Sequence, residues 1–261
     1  MTPLRRLLPL LLLPQPALAT IEPAQGVRLD GDIRERATYV SAIDFDADAP
    51  DTGWFWSQRI RLIADLGDED GLGGRVSLLS AVQSGLETMP IHDNILDLHE
   101  AYLDIPIGVA SLRAGRQEIT LGSQRLVGVR DGTTVRRNWE GFRAAATVSE
   151  WQLDAFGLQL VEVDSDGAFN DQRNPDRELA GLYATGSAGM TGLDLYYLYS
   201  GADNRRTIVG IDDQQRHSLG ARAFGEWSNW FWNWEAVYQW GDHEEEEIRA
   251  WTLASNTGYR I

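Results

Sequence analysis

The chain has 261 residues, a formal charge of −16 and no cysteine. The acidic balance excludes nucleic acid as a partner, because phosphate binding requires clustered positive charge. Without cysteine there is neither a disulfide nor a thiolate metal site, and all 23 basic residues are Arg, through either an Arg-biased genome or a use for planar guanidinium forks that grip carboxylates at two points.

In chain order, Arg5 and Arg6 precede the apolar run Leu7 to Leu13, and Ala17-Leu18-Ala19 follows. That is the layout of a cleaved export signal over residues 1–19, with the cut after Ala19. Pro14 and Pro16 interrupt the run, which falls short of the roughly 20 residues a helical span requires. No other apolar run of that length follows, so a membrane would be crossed by strands.

From residue 20 to 261 the pattern is alternation. Val27, Leu29, Ile33, Ala37 and Tyr39 lie opposite Arg28, Asp30, Asp32, Arg34 and Arg36, with Glu35 breaking the apolar face. Trp54, Trp56, Ile60, Leu62 and Leu66 lie opposite Ser57, Arg59, Arg61 and Asp65, and Val76, Leu78 and Val82 opposite Arg75, Ser77 and Gln83. Phe142, Ala144 and Ala146 oppose Arg143, and Trp232, Trp234, Ala236 and Tyr238 oppose Asn233, Glu235 and Gln239. About twelve such segments are visible, with no long stretch of helical spacing.

The connectors alternate in length. Gly67 to Gly71, Pro106 to Gly108, Ser149-Glu150, Ser187 to Met190 and Glu226 to Asn229 are short. Ala42 to Gly53, Gly85 to Ile95, Ile119 to Asn138, Asp164 to Asp176 and Ser200 to Gln215 are long. This predicts an all-β, antiparallel up-and-down transmembrane barrel with short periplasmic turns and long outer loops. Aromatic belts are expected at Tyr39, Trp54, Trp56, Trp139, Tyr199 and Trp240 on the long-loop side, and at Trp151, Trp227, Trp230 and Trp232 on the turn side.

Strand parity sends Arg28, Arg34, Arg36, Arg59, Arg61, Arg75, Arg113, Arg143, Arg216 and Arg222 to the lumen, with Arg116 out of phase. The longest loop carries Arg125, Arg130, Arg136 and Arg137 against a single acid, Asp131, while the other long loops are acidic. Such a loop is expected to fold into the mouth, pair with lumen acids such as Asp65, Glu100 and Asp104, and narrow the opening. The inward Arg residues either form a ladder for a passing anion or pair with lumen acids and stiffen the wall.

Several stretches carry a family resemblance. Leu98-His99-Glu100-Ala101-Tyr102 leads to Arg113-Ala114-Gly115-Arg116-Gln117-Glu118 and Gln124-Arg125-Leu126-Val127-Gly128. Arg136-Arg137-Asn138-Trp139-Glu140-Gly141-Phe142-Arg143 and Asp176-Arg177-Glu178-Leu179-Ala180-Gly181-Leu182-Tyr183 follow. Together they resemble the bacterial alginate export family of outer-membrane barrels. The resemblance implies about eighteen strands around an Arg-rich lumen that passes an anionic polysaccharide. It also implies about six more strands and a terminal aromatic beyond Ile261, so the barrel unit is expected to be truncated at its C-terminus.

Other readings rest on smaller signals. His217 beside Ser218 is the hydrolase candidate, although no Gly-x-Ser-x-Gly motif is present. Asp164-Ser165-Asp166-Gly167 with Asp171, and Asp44 to Asp48, offer calcium-type oxygen ligands or are solvated loops, and Glu244 to Glu247 reads as a charged loop. A structural or adhesive barrel would leave the Arg excess idle. The expectation is an exported bacterial outer-membrane channel for an anionic solute, with no enzymatic activity and no cofactor. Its partners would be lipid and lipopolysaccharide, and its pore would be lined by Arg34, Arg36, Arg59, Arg61, Arg75, Arg113, Arg125, Arg130, Arg136, Arg137 and Arg143.

Overall fold

The structure, a computed structural model, describes residues 17–40, 53–67, 71–85, 93–206, 211–244 and 246–261. Its strands are β1 (Ala17–Ala24), β2 (Val27–Val40), β3 (Gly53–Gly67), β4 (Gly73–Ser84), β5 (Asn94–Ile107), β6 (Ala110–Gln117) and β7 (Trp139–Val148). They continue as β8 (Trp151–Glu162), β9 (Gln172–Ala188), β10 (Thr191–Arg206), β11 (Ile211–Trp227), β12 (Trp230–His243) and β13 (Glu246–Tyr259). One 13-stranded sheet keeps chain order from end to end, and neighbours run antiparallel throughout, from the β1–β2 hairpin to the β12–β13 hairpin. No helix among the described residues is long and apolar enough to cross a membrane.

The twelve segments expected from Val27 onward are all strands. The thirteenth, β1, begins at Ala17 inside the segment read as a leader and pairs Ala17 with Asp32; residues 1–16 lie outside the described residues. Two-residue turns at 25–26, 108–109, 149–150, 189–190 and 228–229 close hairpins on one rim. Each has one residue at positive φ, Gly26, Gly108, Ser149, Gly189 and Ser228, the geometry that matches strand twist in tight hairpins.

At the other rim the strands run longer than alternation suggested. β10 and β11 extend to Arg206 and from Ile211, so the expected loop Ser200 to Gln215 is mostly ladder. Likewise Glu246 and Glu247, expected in a loop, pair with His243 and Asp242. Both faces of these tips are polar, so period two carries no hydrophobic signal there.

The outward face is apolar. Leu182, Tyr197, Leu219, Tyr238 and Trp251 are register neighbours across β9 to β13, and Leu182, Leu219, Tyr238 and Trp251 are exposed. One residue along each strand, Tyr183, Tyr196 and Val237 are buried on the inward face. An uncovered apolar band of this extent is stable against hydrocarbon, not water.

The belts follow in part: Tyr39 and Trp54 meet at 5.3 Å in a tilted pair at the long-loop rim and Trp230 meets Tyr259 at 5.1 Å at the turn rim. Trp139 is a correction. It is 8% exposed and packs with Ile119, Phe156 and Leu158 on the inside, because the long loop brings its own apolar residues to cover it.

A bulge in β5 also redirects side chains. The ladder steps from Ser77–Glu100 to Leu78–Leu98 and leaves His99 without a partner strand residue, so Asp97, His99 and Glu100 are all buried. A bulge places two residues opposite one and resets parity. If the outward face meets lipid, Leu219→Arg should lower unfolding stability in bilayers by about 2 to 4 kcal/mol; an effect near zero would mean that this face meets water.

Candidate functional site

The segment 118–138, between β6 and β7, lies as a strap across the inner side of the sheet. It reaches β2 and β3 at one end and β12 at the other, so the sheet curls around it. At the first end Arg34 donates to Asp131 O at 2.5 Å and to Thr133 O, and Arg36 Nη1 donates to Gly132 O at 2.7 Å. Asp131 is shared by Arg34, Arg59 and Arg136, with Arg59 Nη2 at 3.0 Å.

Glu118 accepts Arg136 Nε and Nη2 at 2.5 and 2.6 Å, and His99 Nε2 lies 2.7 Å away. Arg61 is bound to Asp32 and sits 3.9 Å from Glu118. Four guanidiniums, Arg34, Arg59, Arg61 and Arg136, therefore share three carboxylates, Asp32, Glu118 and Asp131, and Arg36, held by the Gly132 carbonyl, adds a fifth positive charge beside them. Arg59 is 2% exposed, and its Nη1 has no hydrogen-bond partner among the described residues. Arg130, with φ 55, is exposed on the same strap and adds a further positive charge.

Burial pushes the Glu118 carboxyl up, but the hydrogen bonds from Arg136 and His99 outweigh it and set its pKa at about 2. Asp131 is likewise raised by burial and then held below the usual carboxylate range by Arg59 and Arg136.

At the other end Ser123 Oγ and Arg125 Nη1 donate to Glu235 Oε2 at 2.6 and 2.7 Å, and Tyr196 OH donates to Glu235 Oε1 at 2.7 Å. Gly122 is at φ +51, and a Cβ there would lie 2.3 Å from Tyr183 OH, so only glycine lets the strap sit this low. Beneath it Tyr183 and Tyr196 stack at 5.2 Å, and Asp194 accepts Tyr183 OH at 2.8 Å and Arg222 Nη1 at 2.7 Å.

The predicted Arg residues thus separate. Arg34, Arg36, Arg59, Arg61 and Arg136 converge with Asp131 and Glu118, while Arg75, Arg113 and Arg143 are held on the wall by Asp65, Asp104 and Asp154. Arg125 reaches the far wall, and Arg137 lies over the Trp139 ring at 5.9 Å.

The acids expected to pair with the loop are corrected in part. Asp65 and Asp104 serve Arg28, Arg75 and Arg113, whereas Glu100 does meet the strap, accepting Glu118 N at 3.4 Å. Arg116 binds Leu98 O and Asp171 O.

Sequence reading missed Glu118, His99, Tyr183, Tyr196 and Glu235 as strap anchors. The available signal was parity: a Tyr on the inward row beside an acid is a hydroxyl placed to donate.

The smaller candidates resolve geometrically. His217 bonds Tyr197 OH at 2.7 Å and stacks on Trp240, while Ser218 is buried on the opposite face and accepts Gln239 Nε2; the two do not form a dyad. Asp171 Oδ1 accepts Asp164 N, and Asp164 Oδ1 accepts Asp166 N, so these carboxylates fold their own loop. Among the described residues no cluster of His, Asp and Glu is arranged to hold a metal. Asp44 to Asp48 lie outside the described residues.

The alginate export family model matches residues 26–261. No curated protein matches the chain. Among solved structures, Pseudomonas aeruginosa OccK1 (OpdK) is 13% identical with a TM-score of 0.59, over 90% of this chain and 63% of that one. Acinetobacter baumannii OccAB3 is 11% identical, TM-score 0.60, over 90% and 63%. P. aeruginosa OccK2 (OpdF), solved in complex with glucuronate, is 12% identical, TM-score 0.58, over 90% and 61%. At these identities the likeness is one of fold, and the chain spans 61 to 63% of the length of those structures.

The Glu118 tie gives a pH window. Its folded pKa of about 2 lies below the ordinary 4.5, so its contribution is full above 4.5 and is lost as pH falls through about 2. Relative to the intrinsic rate, amide exchange of residues 118–138 should accelerate progressively in the wild type as pH falls from 4.5 to about 2; the same profile in Glu118→Gln would mean that Glu118 does not fasten the strap.

Proposed function

The chain belongs to the alginate export family, a family of bacterial outer-membrane barrels, and from that premise we propose that it forms the wall and constriction of a channel that passes anionic solutes. Uronate oligosaccharides or polysaccharides such as alginate are the first candidates. The carrying observation is the charge surplus at this end of the strap, where Arg34, Arg36, Arg59, Arg61 and Arg136 lie among three carboxylates, Asp32, Glu118 and Asp131. In a narrow, partly desolvated lumen such a surplus is neutralised by mobile anions, whose carboxylates replace water on the guanidinium edges. The glucuronate complex of OccK2 supports a uronate as the test solute.

The stiffening role also has support. Arg113–Asp104, Arg143–Asp154 and Arg222–Asp194 are one-to-one pairs within the wall, and such pairs add rigidity without net charge. The outward apolar face would be covered by lipid and lipopolysaccharide.

In planar bilayers with a salt gradient, the wild-type reversal potential should show anion preference. Arg36→Ala with Arg130→Ala should reduce it severalfold, and Asp131→Asn should increase it. Equal anion and cation permeability in the wild type would rule out this function.

A further inference from the structure

Most inward guanidiniums are used up by the protein. Arg113 grips Asp104 through Nε and Nη2, both at 2.8 Å, and Arg136 holds Glu118 through the same edge. This is the two-point, side-on geometry in which a planar guanidinium meets a carboxylate.

Arg125 is different. Only its Nη1 is engaged, with Ser123 Oγ at 3.1 Å and Glu235 Oε2 at 2.7 Å. Its Nε and Nη2 meet no acceptor among the described residues, and the side chain is 34% exposed. The edge that Arg113 and Arg136 give to a protein carboxylate is thus left open here, on a side chain already fixed in position.

The support beneath it is firm. Glu235 is buried and keeps two hydroxyl donors, Tyr196 and Ser123, besides Arg125. A carboxylate arriving at the open edge therefore displaces nothing and leaves no buried acid unmatched. The long side chain loses little further freedom on binding, which is the benefit of preorganisation.

We infer that Arg125 is a docking fork for a solute carboxylate, and that Glu235 is a positioning residue that aims it through the Nη1 tie. This rests on the anion-channel reading and adds a specific contact on the far wall, separate from the charge surplus around Asp131.

The test is block of single-channel current by D-glucuronate, with D-glucose as the uncharged control. Arg125→Ala should weaken the block by roughly tenfold or more, the worth of a charge-assisted pair. Arg125→Lys, which keeps the charge but not the fork, should weaken it severalfold. Glu235→Gln separates aiming from charge: the positioning role predicts weaker block, whereas a purely electrostatic pore predicts tighter block because a negative charge has been removed. Heat-modifiable migration on gels confirms that each variant is folded.

Unchanged block in Arg125→Ala, or tighter block in Glu235→Gln, would overturn the inference while leaving an anion-selective wild type intact. A wild type without anion preference would instead remove the function on which it rests.

Discussion

Every strand must satisfy two solvents at once. Across the membrane-spanning ladder backbone groups find partners in neighbouring strands, so the sheet is continuous from β1 to β13, and side chains sort largely by face: Leu182, Leu219 and Trp251 outward, Arg113, Arg143 and Arg222 inward. An Arg on the outer face would be costly at the midplane, which concentrates the basic chemistry of an acidic protein along a single concave surface.

On that surface two kinds of arginine coexist. Wall pairs such as Arg113–Asp104 are neutral as units, but the strap end around Asp131 is not, because Arg34, Arg36, Arg59, Arg61 and Arg136 lie among three carboxylates, Asp32, Glu118 and Asp131. Buried charge without a partner is unstable unless something else supplies the counter-charge. Under the proposed function the passing anion supplies it, which would make structural incompleteness and selectivity one property. The strap also fixes where this happens, between the β2–β3 wall and Glu235 on β12.

Much of this was legible in the sequence because period two is a simple code. Strand count from Val27, the inward set of arginines, the turn positions and the inward folding of the basic loop follow from alternation and charge alone. What escaped has local causes. The bulge at His99 resets parity without any marked residue in the sequence. Trp139 reads as a belt ring until Ile119 and Leu121 of the strap cover it. Glu235 and Tyr196 are distant in the chain from Ser123 and Arg125, and only the curl of the sheet brings them together. The tips of β10 and β11 are polar on both faces, so their ladder leaves no hydrophobic trace.

The central assertion is that one face of this sheet meets hydrocarbon and the other meets water and anions. Because the chain has no cysteine, single cysteines at Leu182, Leu219, Ala250 and Thr252 can each carry a bimane label in reconstituted vesicles; Ala250 and Thr252 are exposed and pair with Gln239 and Val237 of the inward row. Labels at 182 and 219 should be quenched by brominated lipid and shielded from iodide, and those at 250 and 252 should show the reverse. Equal lipid quenching on both faces, or iodide access to the outer one, would contradict the account.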